Sequence, residues 1–219
     1  MLTIQHLTTG YGKKQVLTDV SFHIDAGEIV LLTGGNGSGK STILKTIYGF
    51  LKPWTIEGEI LFDGYKITAL PPSQMIQRGI VYVPQKKNVF DDFTVEENLM
   101  TSASIYLKHE AKERTNKVFT LLPLLAEMRK RTPFHLSGGE RQLLAFGNAL
   151  VHNPKLVLFD EPFAGVDTAN STLLSQTIQD MHHCNITFII VEHKTSLLEH
   201  FITRKIELEL GIIKKNKRI

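Results

Sequence analysis

Apolar residues follow three rhythms along this chain, and each predicts a different kind of element. Val20-Ser21-Phe22-His23-Ile24 alternates like a strand with one buried face, and Asp25-Ala26-Gly27 supplies a turn after it. Glu28-Ile29-Val30-Leu31-Leu32-Thr33 is then an almost unbroken apolar run, so the two segments predict an antiparallel hairpin near the start. Further strands are predicted over Gly58-Glu59-Ile60-Leu61-Phe62, with Asp63-Gly64 as its turn, and over Ile80-Val81-Tyr82-Val83, before Pro84-Gln85. From about residue 86 to 135 helix formers dominate, broken by Pro123 and Pro133, which predicts an inserted helical subdomain.

Beyond it the pattern alternates between helix and strand. A helix is predicted from about Gly138 to His152, the strand Leu156-Val157-Leu158-Phe159, a helix from about Ala169 to His182, and the strand Thr187-Phe188-Ile189-Ile190-Val191. Apolar strands joined by helices imply a parallel sheet covered on both faces, with ligand groups gathered at the carboxyl ends of its strands. Ile206-Glu207-Leu208-Glu209-Leu210-Gly211 reads as an exposed strand ending in a turn. The expected fold is α/β: a parallel-sheet core with an N-terminal antiparallel β subdomain and the helical insertion, forming one domain over residues 1–219.

Composition narrows the functional classes. A formal net charge of +3 is too small to argue for a nucleic-acid partner. Lys214, Lys215, Lys217 and Arg218 crowd the last positions and read as a solvated tail, with contact to anionic lipid the weaker reading. One cysteine, Cys184, excludes an intramolecular disulfide and fits a reducing cytosol. In His182-His183-Cys184, adjacent helical side chains point in different directions, which argues against a metal site. Met1 to Gln5 lacks the pattern of a signal peptide, and no apolar run approaches the roughly 18 residues of a membrane span. Any membrane spans must come from another polypeptide.

Chemistry concentrates in Gly34-Gly35-Asn36-Gly37-Ser38-Gly39-Lys40-Ser41, followed by Thr42. Glycines let successive backbone N–H groups turn inward around phosphate, Lys40 can reach terminal phosphates, and Ser41 can ligate Mg²⁺. A strand precedes this loop and helical spacing follows it, so a helix N-terminus adds positive charge to the anion site. A dinucleotide fingerprint fits less well, because its third glycine would fall one position beyond Gly39 and Lys40 would have no role. These residues predict a P-loop NTPase core that binds a nucleoside triphosphate.

Asp160 closes an apolar strand and is suited to hold Mg²⁺, while the adjacent Glu161 can polarise the water that attacks the terminal phosphate. In Leu136-Ser137-Gly138-Gly139-Glu140-Arg141-Gln142, Ser137 and Glu140 have the spacing of a capping box. The glycines leave N–H groups at that helix start open to an outside anion, with the Ser137 hydroxyl beside them.

With this segment the chain resembles the ATP-binding cassette (ABC) family of ATPases, and the resemblance covers essentially the whole sequence. It implies that Tyr11 stacks on adenine, that Gln85 is the loop glutamine beside the cation, that Ala164-Gly165-Val166-Asp167 follows the catalytic glutamate, and that His193 contacts the γ-phosphate. It implies a head-to-tail pair of cassettes, identical or different. Ser137, Gly138 and Gly139 of one would meet ATP held by the phosphate loop of the other. It also implies separate membrane-spanning permease subunits, docked on the groove between Gln85 and the helical insertion, and hence a cytoplasmic protein peripheral to the inner face of the cell membrane.

A closer resemblance is to ATP-binding subunits of branched-chain amino acid importers. It rests on Phe62-Asp63-Gly64, Ile67-Thr68, Leu70-Pro71-Pro72, Gly79 to Gln85, and Val89-Phe90 leading to Thr94-Val95-Glu96-Glu97-Asn98-Leu99. Lipopolysaccharide-export ATPases share several of these, including the stretch Glu161 to Asp167, and an exporter stays open as the alternative. So does a soluble cassette acting on ribosomes or DNA, although these usually carry two cassettes or long insertions. A nucleotide-dependent assembly protein without turnover is argued against by intact Lys40, Asp160, Glu161 and His193.

Overall fold

The computed structural model describes residues 1–86, 88–193 and 195–219. Its strands divide between two sheets. Strands β1 (Leu2–Tyr11), β2 (Lys14–Ile24), β4 (Glu59–Phe62) and β5 (Tyr65–Lys66) form an antiparallel sheet in the order β2-β1-β4-β5. Strands β3 (Ile29–Gly34), β6 (Ile80–Val83), β7 (Leu156–Asp160), β8 (Thr187–Val191), β9 (Arg204–Glu209) and β10 (Ile212–Arg218) form the second, in the order β10-β9-β3-β8-β7-β6. All its pairings are parallel except β9 with β10.

The expected hairpin of Val20–Ile24 with the next strand is not formed. β2 pairs with β1, a strand the apolar pattern had not revealed, and β3 crosses to the other sheet between β8 and β9. The reason is burial. Val20, Phe22 and Ile24 bury one face, whereas Ile29 to Leu32 are buried on both and must lie inside a covered sheet. Alternate residues of β3 accordingly serve two cores: Ile29 and Leu31 face Phe146, Phe159 and Phe188, while Val30 and Leu32 face Ile43, Leu44 and Ile47.

Three helices fill the link from β6 to the helix before β7. They are α3 (Val95–Ser102), α4 (Lys108–Leu121) and α5 (Pro123–Glu127), following α1 (Lys40–Ile47) and α2 (Pro72–Gln77) in the chain. Thr94 and Glu97 cap α3 reciprocally, and Pro123 starts α5, where its missing N–H costs nothing. Lys87, inside the predicted insertion, lies outside the described residues. Helix α6 (Gly138–Leu150) leads into β7, and α7 (Thr168–His183) joins β7 to β8.

Two expectations near the C-terminus are corrected. The strand at Ile206 to Glu209 is not exposed: it lies between β3 and β10, with Ile206 and Leu208 buried. The basic stretch after it is not a free tail but the edge strand β10, turned back by Leu210 and Gly211, both at positive φ. Its cations meet acids, Lys214 with Glu209, Lys215 with Glu207, and Arg218 with Asp25 and Glu28. Cationic side chains on a sheet edge also discourage pairing with another chain.

Candidate functional site

The carboxyl ends of β3, β7 and β8 open on one cleft of about 440 Å³. The antiparallel sheet supplies one wall through Tyr11 at the end of β1, which is 45% exposed. Its ring is free enough to receive a flat partner, and the Lys45 ammonium lies 5.8 Å from its centroid. Asn36, Gly37, Gly39, Lys40, Ser41 and Thr42 form the floor, while Glu161 and His193 close the far side.

The loop between β3 and α1 folds tightly because glycine permits it. Gly39 precedes the helix at φ 105°, and a Cβ there would stand 2.4 Å from Leu17 Cδ2. Lys40 Nζ donates to the carbonyls of Gly34 and Gly35, each at 2.9 Å, so the ammonium sits across the mouth of its own loop. Burial pulls the Lys40 pKa down, and the nearby Glu161 and Asp160 charges oppose that. Ser38 Oγ is buried without a hydrogen-bond partner among the described residues. A buried hydroxyl in such a loop suits an anion that can accept its proton.

Opposite the loop, Asp160 is buried at the end of β7 and accepts from Ser41 Oγ at 2.7 Å on Oδ1 and from Tyr82 OH at 2.9 Å on Oδ2. Burial, then the Asp160 charge, raise the Tyr82 pKa and keep its hydroxyl a donor. Ser41 and Asp160 are oxygen donors, and Gln85 still has its carboxamide oxygen to offer. Such a set suits a hard divalent cation that takes its other ligands from phosphate and water.

Glu161 stands at φ 51°, its N–H bonded to Val191 O at 2.9 Å, which turns its side chain back over the sheet edge. Gln85 Nε2 donates to Glu161 Oε2 at 2.6 Å, and His193 Nε2 lies 3.5 Å from Oε1. The three residues therefore meet around one carboxylate. Glu192 supports them from below: its buried carboxylate accepts the N–H groups of Phe163 and His193.

Ser137, Gly138 and Gly139 are not among the residues lining this cleft. Ser137 caps α6, its Oγ accepting from Glu140 N at 3.2 Å while the Glu140 carboxylate accepts from Ser137 N at 2.7 Å. Asn170 Nδ2 also reaches Ser137 Oγ, at 3.4 Å. The hydroxyl donates to none of the described residues and is exposed. Gly139 has a packing role that the motif had not suggested, since a Cβ there would lie 1.9 Å from Asn170 Cβ on α7.

Residues 17–164 match the ABC transporter family model, a span that runs from within β2 to just beyond Glu161. The chain belongs to the ABC transporter family. The cassette is 37% identical over 213 residues to the high-affinity branched-chain amino acid transport ATP-binding protein BraG of Pseudomonas aeruginosa, covering 97% of this chain and 91% of that one. It is 35% identical over 195 residues to the lipopolysaccharide export system ATP-binding protein LptB of Haemophilus influenzae, covering 88% of this chain and 80% of that one. Among solved structures it resembles a dimeric ATP-binding cassette in a post-hydrolysis state bound to ADP and Pi. The TM-score there is 0.85 with 26% identity, covering 100% of this chain and 98% of that one. The cassette is thus an ABC ATPase with the α/β fold of that family.

Sequence reasoning missed Tyr82, and it placed Glu192 with His193 at the end of a strand without giving Glu192 a role. Tyr82 carried a signal as the one polar tip in Ile80 to Val83, but its meaning needed the register with β7. Leu210, in the β9–β10 turn, also lines the cleft, and nothing in its local sequence pointed there.

Proposed function

We propose that this cassette hydrolyses ATP for a transporter whose membrane spans lie on separate chains. The observation that carries the reading is that Lys40, Ser41, Glu161 and His193 line one cleft, with Asp160 bonded to Ser41 and Gln85 bonded to Glu161. Backbone N–H groups from Gly34 to Gly39, with Lys40 and Thr42, hold the phosphates. Tyr11 stacks on adenine. Ser41, Asp160 and Gln85 hold Mg²⁺, which supplies neutralisation of charge on the phosphate oxygens when bound. Glu161 takes the proton of the attacking water, and His193 steadies that carboxylate and reaches the terminal phosphate. Phosphate release by the purified cassette in Mg-ATP tests the reading, and no release above buffer would reject it.

Lys40→Ala is expected to weaken binding of a non-hydrolysable ATP analogue by about tenfold or more, because a hydrogen bond to a charged group contributes about 1.5–3 kcal/mol. Calorimetry measures it. Unchanged affinity would remove Lys40 from phosphate binding.

Among the described residues no helix is long and apolar enough to cross a membrane, which is consistent with a peripheral subunit served by permease chains. The candidate docking surface for them is the groove between Gln85 and the helical insertion, where a hollow of about 170 Å³ is lined by Pro84, next to Gln85, and by Asn88 and Ser102 of the insertion. The transported class we favour is branched-chain amino acids, supported by the greater coverage of the BraG match. Lipopolysaccharide-type export is the second reading, supported by the LptB match. Purifying the native membrane complex and assaying leucine uptake in vesicles separates them: ATP-dependent uptake supports the first, and its absence with a lipid-binding partner supports the second.

A further inference from the structure

Asp160 has two oxygens, and each has its own donor. Ser41 approaches Oδ1 from the first turn of α1, and Tyr82 approaches Oδ2 from β6. The sheet dictates the second approach. β6 and β7 run parallel with Tyr82 opposite Leu158, so Tyr82 and Asp160, two residues further along β7, project from the same face. The tyrosine ring is held as well, with centroids 5.6 Å from Tyr48 at the end of α1 and 5.7 Å from Phe50. The phosphate-loop helix and the edge strand β6 thus fix one phenol between them.

We propose that Tyr82 is a positioning residue of the nucleotide site, locking the rotation of the Asp160 carboxylate so that the oxygen beside Ser41 is presented to a divalent cation. This rests on reading Ser41 and Asp160 as cation ligands. A carboxylate held at one oxygen can turn about its Cβ–Cγ bond, and one held at both by donors on different elements cannot. Both bonds are charge-assisted and therefore among the stronger hydrogen bonds of the fold. A tyrosine that only filled space would need its ring and not its hydroxyl, and that difference can be measured.

Tyr82→Phe keeps the ring against Tyr48 and Phe50 and removes only the donor. Binding of a non-hydrolysable ATP analogue is measured by calorimetry across a Mg²⁺ series and in excess EDTA, with melting temperatures alongside. The variant should bind the analogue in EDTA as the unaltered cassette does, while the Mg²⁺ concentration for half-maximal tightening rises about tenfold, as expected for losing one hydrogen bond to a charged acceptor. Adding Tyr82→Phe to Asp160→Asn should move the Mg²⁺ curve no further, because the tyrosine acts through that carboxylate. A lowered melting temperature with an unmoved Mg²⁺ curve, or an independent further shift in the double variant, overturns the proposal. If the unaltered cassette shows no Mg²⁺ dependence, the cation reading fails and takes this proposal with it. If it shows one and the variant matches it, only the role of Tyr82 falls.

Discussion

Glu161→Gln is expected to bind ATP as tightly as the unaltered cassette and to release phosphate about 10²–10⁴ times more slowly, the usual contribution of a positioned base. The substitution suits the site because the amide keeps the side chain's shape. Its oxygen can still accept from Gln85 Nε2, which now lies 2.6 Å from the carboxylate, and its NH₂ can face His193. What it loses is the capacity to take a proton. ATP that binds but is not consumed should hold two cassettes together, so the variant should elute as a dimer with Mg-ATP and as a monomer without it. Undiminished steady-state hydrolysis would remove Glu161 from the base role, whatever the elution profile.

The parts of the site legible in the sequence were those written contiguously. Gly34 to Thr42 needs only a preceding strand and a following helix to become an anion cradle, and both were visible in the apolar pattern. Asp160 and Glu161 were legible because a buried strand that ends in two acids must deliver them to a sheet edge. The apolar pattern put His193 at the end of a strand, but the roles of Gln85 and His193 came through the resemblance alone. Single residues on loops have no spacing to betray them, and only the structure brings both to Glu161.

What escaped had physical reasons. β1 broke its alternation at His6, where φ is 48° and the pairing with β2 shifts register, so its periodicity reads as irregular. β10 has an almost wholly polar face to solvent and is specified by partners on other elements, Glu207, Glu209 and Asp25, rather than by its own apolar pattern. Tyr82 acquires its role only from a parallel register with a strand that follows the whole segment from α3 to α6, 78 residues separating it from Asp160, which one sequence does not encode locally. The mistaken hairpin at β2 and β3 came from sequence adjacency, and the two-sided burial of β3 decides against it.

We propose that a second cassette completes the site: Ser137 caps α6 away from the residues lining the cleft and is exposed, so it is open to nucleotide held by a partner. Ser137→Ala removes the α6 cap and should cost about 0.5–2 kcal/mol of stability, so a role confined to folding predicts a lower melting temperature and normal hydrolysis by the folded fraction. Ser137→Arg adds bulk and charge where two surfaces must close. It should leave nucleotide binding by the monomer near normal while hydrolysis collapses. The most direct measurement is phosphate release from a mixture of Ser137→Arg and Lys40→Ala chains, each inactive alone. A mixed dimer holds one site with an intact phosphate loop from the first chain and an intact Ser137 from the second, so the account predicts restored hydrolysis. No gain over either variant alone, with crosslinking confirming that mixed dimers form, would contradict it.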